Sequence, residues 1–229
     1  MILPEQNEKN LNPYLPLLID FSDKVVVVFG GGDVGERKVK RFAEKAQITV
    51  VSSSLTDCLR EMEAQGLFFY VPADISKLSD GEIFDCMSDA FLVIAATSDS
   101  EINRRIISMA NAAGILANDT QCAGEVIIPS FIENGRLQIA VSSGGESPAV
   151  TKYARMKIES VIGSDFDRMI ALQSEMREYL KTVEPDQKKR QEILWKILTS
   201  KKIWKLLPTD FEKAKEKAKQ KAQKMIEQA

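Results

Sequence analysis

Between residues 24 and 118 the chain alternates short apolar runs with stretches whose apolar residues recur every three or four positions. Val25-Val-Val-Val-Phe, Ile48-Thr-Val-Val-Ser, Leu67-Phe-Phe-Tyr-Val, Phe91-Leu-Val-Ile-Ala-Ala and Ile115–Asn118 read as five strands. The unbroken apolar runs at Val25 and Phe91 suit strands buried on both faces. Helices are predicted over about 33–46, with Val39, Phe42 and Ala46 on one face, and over Leu55–Gln65, closed by Gly66. A third spans 99 to about 113, with Ile102, Ile106, Met109 and Ala113 as its stripe and Ser98 and Glu101 as a capping box. Strands alternating with helices predict an α/β fold, a Rossmann-type doubly wound parallel sheet.

Past residue 118 the pattern changes. Glu125-Val-Ile-Ile-Pro-Ser-Phe-Ile and Arg136-Leu-Gln-Ile-Ala-Val-Ser are strand-like runs joined by Glu133-Asn-Gly, a hairpin signal. This hairpin can extend the sheet or pair through its edge with a second subunit. From Ser147 the chain is helical to its end, broken at Pro185 and Pro208, with Thr209 and Glu212 as a capping box for a lysine-rich last helix. Phe211, Ala214, Ala218 and Ala222 give that helix a thin apolar stripe, so its lysines read as a solvated face. The resulting division is 1–118 with a polar extension over 1–13, 119–150, and 151–229.

Composition narrows the function. With 229 residues, 44% hydrophobic, 28% charged and a net charge of −2, the chain gives a nucleic-acid partner no electrostatic support. No run of apolar residues is long enough for a membrane span, and the first ten residues do not read as a signal peptide, so a cytoplasmic protein is expected. Cys58, Cys86 and Cys122 lack C-x-x-C spacing, which argues against a disulfide framework or a structural metal. There is no histidine, so acid–base work falls to carboxylates, Lys, Tyr, Cys or the substrate.

The most informative stretch is Gly30-Gly-Gly-Asp-Val-Gly, G-x-G-x-x-G between a strand and a helix. Gly30 makes the tight turn, Gly32 lets a pyrophosphate approach the backbone, and Gly35 lets the helix pack close to the strand. Gly30, Gly31, Gly32, Asp33, Val34 and Gly35 are therefore the candidate dinucleotide loop. The ribose-binding acid expected near the end of the second strand is missing; Ser52 or Ser53 is the candidate to hydrogen-bond a ribose hydroxyl instead, and no arginine stands there for a 2′-phosphate. Ser142-Ser-Gly-Gly-Glu-Ser-Pro follows the hairpin, and its paired glycines can bring N–H groups to an anion while Ser147-Pro148 starts a helix.

These pieces recur together in one family. Leu15-Pro-Leu-Leu-Ile-Asp, Gly30 to Lys38, Ala95-Ala-Thr-Ser-Asp, Asn103-Arg-Arg, Ile127-Ile-Pro-Ser and Ser142 to Pro148 appear in that order over about residues 14–162. The chain resembles precorrin-2 dehydrogenases, the amino-terminal module of siroheme synthases. The resemblance implies NAD-dependent oxidation of precorrin-2 to sirohydrochlorin on the route to sirohaem, by a homodimer built of a Rossmann domain, a dimerisation region and a small helical domain. It puts Thr97 near the dinucleotide. It also places a catalytic aspartate shortly after the fifth strand. The stretch from Asn118 to Pro129 is shorter than the family's, so anchoring on Pro129 selects Asp119 and anchoring on Asn118 selects Gln121. Only Asp119 can accept a proton, and it is the candidate catalytic residue.

For a polycarboxylate tetrapyrrole the candidate contacts are Ser143, Gly144, Gly145 and Ser147 in the loop, with Arg104 and Arg105; Lys152 and Arg155 are further cations. Two other readings fit the glycine loop. In one, the protein also inserts ferrous iron, which the lack of histidine weakens. In the other it is a non-catalytic dinucleotide-sensing module, which leaves Ser142 to Pro148 unexplained.

Overall fold

A computed structural model describes residues 13–122 and 124–228, so most of the polar extension lies outside it. The chain divides into two compact units. The first runs to Ile128 and takes in Gly144–Glu146; the second is Pro129–Ser143 with the chain from Ser147 onward.

The first unit holds a five-stranded sheet: β1 (Val25–Phe29), β2 (Gln47–Ser52), β3 (Phe69–Pro72), β4 (Leu92–Ala95) and β5 (Leu116–Asp119). All pairs are parallel, in the order β3-β2-β1-β4-β5. Phe29 lies opposite Val51 and Ala95, and Ala95 opposite Asp119, so the strands' carboxyl ends form one edge. Helices α1 (Asp33–Phe42), α2 (Asp57–Ala64), α3 (Asp80–Met87) and α4 (Ser100–Ala112) follow β1 to β4 in turn. Val26, Val28, Ile48, Val50, Leu92 and Ile94 pack on one face with Val39, Phe42 and Leu59. Val27, Phe29, Val51, Val93, Ala95 and Ala117 pack on the other with Ile83, Met87, Ile106 and Ala110. Two buried faces explain why β1 and β4 contain no polar residue. Val126 and Ile128 also pack against the first face, alongside α1 and α2.

Three local expectations are corrected. The pattern assigned no element between β3 and β4; the structure has a 3-10 turn at Ile75–Lys77 and then α3, started by a reciprocal Ser79–Glu82 capping box. The cap of α4 is Asp99, not Ser98: its carboxylate accepts from the N–H groups of Glu101 (2.7 Å) and Ile102 (3.3 Å). A carboxylate there also meets the positive end of the helix dipole. The buried stripe of α4 is Asn103, Ile106 and Ala110, with Ile102 and Met109 at its margins and Ala113 exposed.

The second unit begins with an antiparallel hairpin, β6 (Ser130–Asn134) and β7 (Leu137–Val141). Asn134 pairs with Leu137, so the turn is centred on Gly135-Arg136, one residue beyond the Asn-Gly centre expected. Gly135 has φ of 58°, which suits glycine at the first central position of a two-residue loop. Arg136 N–H donates to Asp167 Oδ1 at 2.8 Å, tying this turn to the next layer. Helices α5 (Pro148–Glu159), α6 (Asp165–Val183), α7 (Gln187–Leu198), α8 (Lys201–Leu206) and α9 (Phe211–Glu227) follow. Met169, Leu172, Met176 and Leu180 of α6 pack with Ile193, Ile197, Ile203 and the fully buried Ala214, Ala218 and Ala222 of α9. The expected breaks at Pro185 and Pro208 occur, with others at 160–164 and 199–200. The cap of α9 is Asp210 rather than Thr209; its Oδ1 accepts from Lys213 N–H at 2.9 Å. Thr209 faces back, its hydroxyl donating to Leu206 O at 3.4 Å.

Candidate functional site

The glycine loop sits at the carboxyl edge of the sheet, where open α/β sheets bind ligands. Its glycines differ in what surrounds them. Gly30 has φ of 118°, and a Cβ there would strike the carbonyl of Ala96 at the end of β4. A Cβ on Gly35 would strike the Gly30 carbonyl, and one on Gly31 the Ser54 carbonyl. These three are glycine because backbone already fills the space. At Gly32 nothing lies within 4 Å. Gly32 is exposed, and as the N-cap of α1 it offers no side chain to the first-turn N–H groups. An open cradle facing uncapped donors fits a pyrophosphate. Asp33 is exposed beside it and Val34 half-buried.

Ser52 has a different task from the ribose contact expected of it. It is 7% exposed, its hydroxyl accepts from Gly31 N–H (3.0 Å) and donates to the Ser54 carbonyl (2.8 Å). The Gly31 carbonyl accepts from Thr56 N–H at 3.1 Å. Ser52 therefore shapes the loop from beneath, and Ser53, exposed, is the serine left on the outer side of this strand end.

Thr97 and Asp119 share the opposite part of the edge. Thr97 is held by Asn103, which is fully buried in α4. Asn103 Oδ1 accepts from Thr97 N–H (3.1 Å) and Oγ1 (2.6 Å), and its Nδ2 donates to Thr97 O (3.1 Å). In the sequence Asn103 stands out only within Asn103-Arg-Arg; the signal for its role is a polar side chain in line with Ile106 and Ala110. Asp119 closes β5. Its Oδ1 accepts from Gln121 N–H at 2.8 Å, an Asx turn, and its other oxygen has no partner among the described residues. Gln121 Nε2 reaches Thr97 O at 3.4 Å, so Gln121 joins the two strand ends. Beneath them Lys38 Nζ donates to Asn118 Oδ1 (3.2 Å), and Asn118 Nδ2 to Val126 O (2.8 Å). Burial, with Arg41 and Arg37 adding repulsion, pushes the Lys38 ammonium down to about 8.

The candidate carboxylate-binding arginines separate. Arg105 is committed elsewhere: its guanidinium grips Asp80 Oδ1 (2.7 Å) and the Leu78 carbonyl (2.9 Å), bracing α4 against the start of α3. Arg104 is exposed, with Glu101 at 3.9 Å. In the second unit, Ser143 Oγ accepts from Ser147 N–H (2.9 Å), and Ser147 caps α5 by accepting from Val150 N–H, with Pro148 next. Gly144 and Gly145 have φ of 67° and 90°. Arg155 pairs with Glu159, and Lys152 is exposed. No group of three or more Cys, Asp or Glu among the described residues is arranged to hold a metal ion.

A family model described as NAD(P)-binding matches residues 17–130, and one described as sirohaem biosynthesis protein central matches 134–160. A precorrin-2 dehydrogenase from Methanosarcina barkeri is 43% identical over 207 residues, covering 90% of this chain and 92% of its own. The chain belongs to the precorrin-2 dehydrogenase family. A siroheme synthase from Klebsiella pneumoniae is 33% identical over 172 residues, 74% of this chain but 35% of its own length. Among solved structures, SirC, a precorrin-2 dehydrogenase, superposes with a TM-score of 0.69 over 87% of this chain and 100% of its own, at 24% identity. That likeness concerns the fold. The stretch matched by the NAD(P)-binding model includes the glycine loop, and none of the helices among the described residues is long and apolar enough to cross a membrane.

Proposed function

We propose that the chain oxidises precorrin-2 to sirohydrochlorin, with NAD as hydride acceptor. The observation that carries this is the open Gly32 cradle on the same strand edge as an Asp119 oxygen that has no partner among the described residues. Gly30, Gly31 and Gly35 shape the loop, Gly32 and the start of α1 would hold the pyrophosphate, and Thr97, set by Asn103, would stand near the dinucleotide. The nicotinamide, when bound, accepts a hydride from a ring carbon of the macrocycle. A proton must also leave as conjugation is gained. Asp119 accepts it, oriented by the Gln121 N–H. Ser143, Gly144, Gly145 and Ser147, with Arg104, are the proposed contacts for the substrate's carboxylates.

The protein acts, in this reading, as a cytoplasmic homodimer. Three free cysteines suit a reducing compartment. Helix α5 buries none of its residues, and Val150, Tyr153 and Met156, three apart, are 62%, 62% and 54% exposed. A stripe of that kind beside a two-stranded hairpin calls for a second copy. The deciding experiment mixes protein, NAD and precorrin-2 and follows the absorbance of NADH and macrocycle. Asp119→Asn should bind NAD normally and lose about 10²–10⁴-fold in rate, with Gln121→Ala much milder. Wild-type turnover by Asp119→Asn would remove Asp119 from the mechanism.

A further inference from the structure

The end of β2 has no carboxylate, yet one reaches from α1 to the loop that follows it. NAD-selective folds ordinarily carry an acid at this strand end, where it bonds the adenosine ribose and repels a 2′-phosphate. Here Glu36 lies on α1 one turn beyond Gly32, its N–H donating to the Gly32 carbonyl at 2.9 Å. Its side chain, 19% exposed, turns toward the loop between β2 and α2. Thr56 Oγ1 donates to Glu36 Oε2 at 2.6 Å, and it is the same Thr56 whose N–H holds Gly31. Lys40, one further turn along and 48% exposed, pairs with Oε1. The bonds from Lys40 and then Thr56 hold the Glu36 carboxyl below the usual carboxylate range, so it is ionised at neutral pH.

We propose that Glu36 is the residue by which this chain discriminates NAD from NADP, supplying from α1 the negative charge that the end of β2 lacks. The inference rests on the dinucleotide reading of the glycine loop. Two effects act in one direction. The carboxylate repels a 2′-phosphate brought to the strand end, and it neutralises Lys40, the cation that would otherwise receive that phosphate. Replacing Glu36 by glutamine removes both effects and keeps an oxygen for the Thr56 hydroxyl.

The test is calorimetric titration of the full chain with NAD and, separately, NADP, which reads affinity rather than turnover. Wild type should favour NAD. Glu36→Gln should tighten NADP about tenfold and leave NAD within about twofold. Lys40→Met, which leaves Glu36 unneutralised, should weaken NADP further. An NADP-to-NAD affinity ratio unchanged by Glu36→Gln overturns the assignment, as does a wild type that binds both equally or prefers NADP. Absence of NAD binding by wild type is a separate outcome: it defeats the dinucleotide reading and this inference with it.

Discussion

Gly32→Asp is expected to stabilise the protein while destroying its cofactor site. Gly32 is the N-cap of α1, with φ −84° and ψ −172°, the extended backbone a capping residue adopts, and helix α1 has no side-chain cap. A Cβ at Gly32 meets nothing within 4 Å. Aspartate is among the best capping residues and its charge meets the positive end of the helix dipole, so exchanging glycine for it contributes a few tenths to about 1 kcal/mol. For a domain of this size that is a rise of roughly 1–3 °C in Tm. The same carboxylate occupies the approach of the pyrophosphate and takes N–H groups that would bind it. One like-charge contact near 4 Å costs about 1–4 kcal/mol between water and a partly buried surface, so affinity should fall by roughly ten- to a thousandfold. Calorimetry measures the affinity, and melting curves with and without NAD give the linkage: wild type gains Tm on adding NAD, and the variant does not. Gly35→Ala is the contrasting control. Its methyl strikes the Gly30 carbonyl, so it should lose Tm even without ligand. Unchanged NAD affinity in Gly32→Asp, or a loss of Tm equal to that of Gly35→Ala, would refute the reasoning.

Asn103→Ala should cost about 1–3 kcal/mol, since it empties a fully buried site and removes the acceptor of Thr97's part-buried N–H; urea unfolding measures it, and a change under about 0.5 kcal/mol would deny Asn103 its positioning role. Lys38 has a folded-state value near 8 against an ordinary 10.5, so between those limits the unfolded chain binds more protons and this group's contribution to stability rises with pH. Wild type should therefore gain on Lys38→Met as unfolding is moved from pH 7.5 to 9.5, and a constant gap would show that the amine is not shifted. Tyr153→Glu puts a charge in the exposed stripe of α5 and should yield monomers by light scattering at micromolar concentration; an unaltered dimer would move the interface elsewhere.

The sequence by itself determined the sheet, its parallel sense and the position of the glycine loop. A run such as Val25–Phe29 has to bury both faces, and only helices on both sides do that. Glycines at 30 and 35 could be assigned their roles from spacing, because strand-turn-helix geometry is local and nearly invariant. The Asp99, Asp210 and Gly135 corrections are shifts of one residue, where neighbouring side chains compete for one local role and hydrogen-bond geometry selects among them. Tertiary structure decided what each polar side chain is used for. Ser52, Ser53 and Ser54 are indistinguishable as letters, yet packing turns Ser52 inward to Gly31. Arg104 and Arg105 are adjacent, and the helix angle between them sends one to solvent and the other to Asp80. Asn103 gained its hold on Thr97, and Glu36 its place beside Thr56, from partners 6 and 20 residues away. A hydrogen bond depends on distance and direction in three dimensions, and periodicity along the chain carries information about burial alone.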